Sequence, residues 1–107
     1  MANIKAYYGI TVTVTGAAQS LLTLLQAVDS TCPGHCRQLR IQSSKANTGK
    51  TLYVGDSHVA TSGRAGIELA VGEHALYPGD LNAVNISEFY VIASDASTPT
   101  NVEILPL

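Results

Sequence analysis

Residues 9–15 alternate apolar and hydroxyl side chains: Ile10, Val12 and Val14 interleave with Thr11, Thr13 and Thr15. Period two and β-branched residues agree, so the segment reads as a half-buried strand. After Gly16 the period changes. Ala18, Leu21, Leu22, Leu25 and Val28 follow the spacing of one helical face, which predicts a short helix over 17–28. Thr15 is placed to cap its start, and the run from Asp29 to Gly34 ends it. Alternation then returns. Leu39 and Ile41 point inward from a strand over 36–43, with Gln38, Arg40 and Gln42 on its other face. A turn over 45–49 leads to the strand Leu52-Tyr53-Val54, ended by Gly55-Asp56. Ile67, Leu69 and Val71 form a further alternating strand, and Gly72-Glu73 is a turn. His74 to Tyr77 is a short strand stopped by Pro78-Gly79-Asp80. Phe89 to Ala93 is strongly β in residue type. A Ser/Asp/Thr/Pro turn over 94–100 precedes a last strand from Asn101 to Leu105.

Seven or eight short strands with regular turns predict an all-β, mainly antiparallel fold. The expected architecture is a β-sandwich of jelly-roll type with one short helix near residues 17–28. Helices do not alternate with the strands, which excludes a parallel α/β sheet. A chain of 107 residues is expected to form a single domain over 1–107. Residues 1–8 are either an arm reaching a neighbour or the start of the first strand.

Composition sharpens this picture. Charged residues make up 13% of the chain, about half the usual fraction. Ser, Thr, Asn and Gln together supply 28 residues in their place. Such a neutral, hydroxyl-rich surface suits a protein held in an assembly, because charge is depleted from the centres of protein interfaces. The net charge of −2 and the scattered positions of Lys5, Lys45, Lys50, Arg37, Arg40 and Arg64 give no footprint for nucleic acid. No apolar stretch is long enough to span a membrane. The N-terminal MANIKAYYGITVTV lacks an export signal, so synthesis in a cytoplasm is expected.

Candidate chemistry is sparse. Cys32-Pro-Gly-His35-Cys36 gathers two thiols and an imidazole, but a structural zinc site needs four ligands and the chain has no second paired cluster. Two free, buried thiols in a turn are the better reading, since Cys packs as a small hydrophobe. His58 and His74 are the other histidines, and a nucleophilic cysteine would need such a base nearby. The metal pattern of a cupin is broken, because Ala60 stands where a second His would follow His58, with Glu68 and Glu73-His74 downstream. Glu73, Asp56 and Asp80 follow glycines and suit turns, and Glu68 takes the solvated face of its strand. Gly63-Arg64-Ala65-Gly66 lacks the ending of a phosphate loop. Phe89 and Tyr90, adjacent on one strand, are expected on opposite faces. No catalytic, cofactor-binding or metal-binding residues are assigned, and no cofactor is expected.

Leu52-Tyr53-Val54-Gly55, Gly66-Ile67-Glu68-Leu69, Gly72-Glu73 and Phe89-Tyr90-Val91-Ile92-Ala93, preceded by Cys36-Arg-Gln-Leu-Arg-Ile-Gln-Ser43, resemble small structural proteins of tailed-bacteriophage virions. The resemblance covers about residues 36–105 and rests on hydrophobic pattern and turn glycines. The helix over 17–28 departs from it. It implies a non-enzymatic capsid decoration or cement protein located in the virion. Its partners would be its own copies, as a homotrimer, and the major capsid protein or other virion proteins. A tail, neck or fibre component, or a cupin-like jelly roll binding a carbohydrate or other ligand, is the alternative.

Overall fold

The chain's alternating segments pair into two layers. The computed structural model describes residues 8–61, 66–78 and 83–107. One sheet contains β1 (Tyr8–Val14), β4 (Gln38–Ser43), β7 (His74–Pro78) and β10 (Thr98–Leu105), in the order β1-β10-β4-β7. The other contains β2 (Gln19–Ser20), β5 (Leu52–Gly55), β6 (Ile67–Leu69) and β9 (Tyr90–Ala93), in the order β2-β9-β5-β6. A small ladder joins β3 (His35–Cys36) to β8 (Val84–Asn85). Every pairing is antiparallel. Chain neighbours thus repeatedly fall in opposite sheets, which is the double Greek-key arrangement of a jelly roll.

The register explains the sandwich. Val12, Val102 and Ile41 project inward from their strands, as do Leu52, Val54, Val91 and Ala93 from the facing sheet, and all belong to one buried cluster. Fully burying one such side chain contributes roughly 1.5–3 kcal/mol. The same pleat turns Thr11, Thr13, Gln38, Gln42 and Asn101 outward.

One helix, α1 (Leu21–Val28), packs against β1 and β2. Leu21 and Leu25 are fully buried. The helix is shorter than the apolar period predicts. Gln19 and Ser20 pair with Val91 and Tyr90 of β9, so they are strand. Ser20, not Thr15, caps the helix: its Oγ accepts from the Thr23 N–H at 3.4 Å. Ala18 therefore lies outside the helix, and Val28, in the last turn, is 63% exposed.

Three other boundaries differ from the sequence reading. The last strand begins at Thr98, not Asn101. Thr98 and Thr100 continue the inward alternation of Val102 and Ile104, and the Thr100 hydroxyl is satisfied by donating to the Thr98 carbonyl at 3.1 Å. Pro99 is tolerated because its missing N–H faces a position beyond the end of β4, whose ladder stops at Thr100 opposite Ser43. Its carbonyl accepts instead from Ser44 N–H at 3.2 Å and from the buried Asn47 Nδ2 at 2.7 Å. The strand read over 36–43 is two, β3 and β4, divided at Arg37. Val71 lies in the turn after β6 rather than in the strand, and is exposed. Of the supposed arm, only Tyr8 falls within the described residues, where it opens β1. Residues 63–65 and 79–82, which include Asp80, lie outside them.

Candidate functional site

The two sheets part at one side. There, β6 is the edge of one sheet and β7 the edge of the other, and a cleft of about 670 Å³ opens between them. Local sequence fixes each wall. Val54 and Ile67 are opposed across β5 and β6 and face inward from one sheet. Tyr77 faces inward from β7, opposite Leu39. Ile67 is 48% exposed despite pointing into the sandwich, because nothing among the described residues closes this seam.

A 3-10 helix, Ile86–Glu88, brings the third wall. Asn85 caps it by accepting from the Ser87 N–H at 3.1 Å, and the Ile86 N–H donates to the Gly34 carbonyl at 2.9 Å. Phe89 ends this helix; its N–H donates to the Ile86 carbonyl at 3.0 Å and its own carbonyl accepts from Leu21 N–H at 2.9 Å. Phe89 is therefore not part of β9. Phe89 packs against the core cluster, whereas Tyr90, paired with Gly55 and followed by the inward-facing Val91, does not, in keeping with neighbours that face opposite ways; both residues contribute to the lining of the cleft. The Phe89 and Tyr77 rings meet edge to face, with centroids 4.7 Å apart and planes at 70°, and so tie the end of the 3-10 helix to β7 at the cleft. Burial pushes the Tyr77 phenol above its ordinary value, so it stays protonated at neutral pH.

Two carboxylates, Asp56 and Glu88, stand at the cleft. Asp56 shapes the loop after β5, its Oδ1 accepting from the His58 N–H at 2.8 Å and lying 3.5 Å from His58 Nδ1. Glu88 has no ion-pair partner among the described residues. No Lys, Arg, His or Cys is among the described lining residues. The arrangement can hold an apolar body and stabilise positive charge beside it.

The residues that drew notice in the sequence lie elsewhere. Cys32 and Cys36 are both free and buried, as two packed thiols. Burial, reinforced by the neighbouring Cys32, pushes the Cys36 thiol up to about 11. Burial raises Cys32 as well, although a hydrogen bond with Tyr8 works against it. His35 is exposed while Cys36 is fully buried, because adjacent residues of β3 face opposite ways. His58 is in an exposed loop, Glu68 takes the solvated face of β6, and His74 takes the outer face of β7 beside Gln42. The histidines and Glu68 of the broken cupin pattern are thus dispersed over separate outer surfaces. Among the described residues no three His, Cys, Asp or Glu side chains gather as metal ligands, and no helix is long and apolar enough to cross a membrane.

These elements define the class of fold: an antiparallel jelly-roll sandwich with one seam covered by an α-helix and, among the described residues, no α-helix over the other. No protein-family model, no curated protein and no solved structure matches the chain.

Proposed function

We propose that this chain is a non-enzymatic structural protein of a tailed-phage virion, which decorates or cements the capsid as a homotrimer by lying against neighbouring subunits. The observation that carries this reading is the outer face of the β1-β10-β4-β7 sheet. It presents Thr11, Thr13, Gln38, Gln42 and Asn101, and its two charges, Arg40 and Glu103, sit opposite one another and pair. A broad pleated face without net charge shares the low charge of interface centres, and its hydroxyl and amide groups can hydrogen-bond to a partner when covered. Leu76, exposed on the same face from β7, adds an apolar contact point. The jelly-roll order is itself common among capsid proteins, though lectins and cupins share it. Many weak contacts of this kind, repeated around a shell, bind through avidity.

The test is the solution mass by light scattering across a concentration series. A stable trimer is the expected result and leads to binding assays on capsid shells. A larger closed ring moves the assignment to a neck, tail or fibre component. A monomer throughout the series refutes assembly as the function.

A further inference from the structure

We infer that the cleft between β6 and β7 is a binding site for a small organic cation, an ammonium or guanidinium group carried on an aryl or alkyl body. The inference goes beyond the assembly reading and does not depend on it.

Three observations converge. The first is unfilled apolar surface: Val54, Ile67 and Phe89 line the cleft, and Ile67 remains 48% exposed although it faces the interior. A cleft of about 670 Å³ with such walls falls within the range of small-molecule sites, roughly 300–1,000 Å³. The second is the sign of the charge. Asp56 and Glu88 supply two carboxylates, and no basic side chain is among the described lining residues. An anionic ligand would meet repulsion, while a cation finds a partner in Glu88. Asp56 is already shared with the exposed His58, so Glu88 is the stronger anchor. The third is the aromatic content. Tyr77 and Phe89, whose rings meet edge to face, line the cleft together with Tyr90, and aromatic side chains attract ammonium and guanidinium groups.

The experiment is an NMR titration of the isotope-labelled full chain with phenethylammonium, set against neutral 2-phenylethanol and anionic 3-phenylpropionate. Saturable shifts at Gly55, Ile67, Glu88 and Tyr90 with the cation are expected, with the alcohol weaker by about three- to tenfold and the anion silent. Glu88→Gln should weaken the cation by a similar factor and leave the alcohol unchanged, and its melting temperature should match that of the parent because Glu88 is exposed. Equal affinity for all three compounds, shifts mapping outside the cleft, or no saturable shift at millimolar cation would each overturn the inference. None of these outcomes bears on the oligomeric state, so failure here is separable from failure of the assembly reading.

Discussion

Replacing Gly66 with Ala tests how tightly β6 is set against β5. Gly66 immediately precedes β6 and has a φ of +100°, a conformation that costs an L-residue roughly 1–2 kcal/mol. A Cβ there would collide with the Val54 carbonyl oxygen and stand 3.0 Å from the Val54 carbonyl carbon and 3.1 Å from Gly55 Cα. All three atoms are backbone, so no side chain can swing aside. β5 is paired on both flanks, with β6 and with β9, and any retreat disturbs one ladder or the other. Overpacking of this kind adds about 1–3 kcal/mol, for a total of roughly 2–5 kcal/mol. Gly49→Ala is the control. Gly49 has a φ of +76° with nothing within 4 Å of its would-be Cβ, so only the conformational cost of about 1–2 kcal/mol applies. Urea unfolding followed by far-UV circular dichroism reads both; the chain contains no Trp for fluorescence. Gly66→Ala should lower the unfolding free energy by roughly 2–5 kcal/mol, against about 1–2 kcal/mol for Gly49→Ala. If it proves no more destabilising than Gly49→Ala, the close approach of β6 to β5 is not as described.

Three further outcomes follow from packing and charge. Leu25→Ala should cost about 2–5 kcal/mol, since Leu25 is fully buried, whereas Val28→Ala, at 63% exposure, should change stability by under about 0.5 kcal/mol; paired unfolding curves decide it. Arg40 and Glu103 pair on a partly solvated face, so a double-mutant cycle should return a coupling below about 1 kcal/mol that shrinks with added salt. Cys36 is raised from 9.0 to about 11 in the folded chain, so its contribution is complete below pH 9 and is lost as pH rises from 9 to 11, where the unfolded thiol ionises first. Unfolding free energies at pH 8 and pH 10.5 should therefore differ less in Cys36→Ala than in the parent, and an equal difference would refute the buried thiol's role.

The sequence made some of this legible and concealed the rest for identifiable reasons. β1 was readable because one face is buried and the other wet, so Val12 and Thr11 carry opposite polarity. The buried thiols were readable too, since Cys32 and Cys36 behave as small apolar groups. The helix start was misplaced because Ala18 matches the helical period by coincidence, while Gln19 and Ser20 are claimed by β9. The start of β10 was hidden by composition: Thr98-Pro99-Thr100 reads as a turn, yet both Thr side chains are buried and Pro99 meets no ladder on its N–H side. The cleft had no local signal at all. Its walls come from β5, β6, β7 and the 3-10 helix, segments as far apart as Val54 and Tyr90, and only the topology brings them together.

That topology also accounts for where the cleft lies. Two facing sheets expose apolar side chains along both side seams, and each seam needs a cover. On the side of β1 and β2 the cover is α1, whose Leu21 and Leu25 are inserted fully into the core. The opposite side, between β6 and β7, has no second α-helix among the described residues, only the 3-10 turn Ile86–Glu88 at one end. There the inward-facing Ile67 stays half exposed, beside the Tyr77–Phe89 ring contact. The edge-to-face contact joins Tyr77 of β7 to Phe89 at the end of the 3-10 helix, with Asp56 and Glu88 also at the gap. An apolar opening with two carboxylates on one side and a neutral polar sheet face on another give this small chain two chemically different surfaces, so ligand titration and solution mass report on them separately.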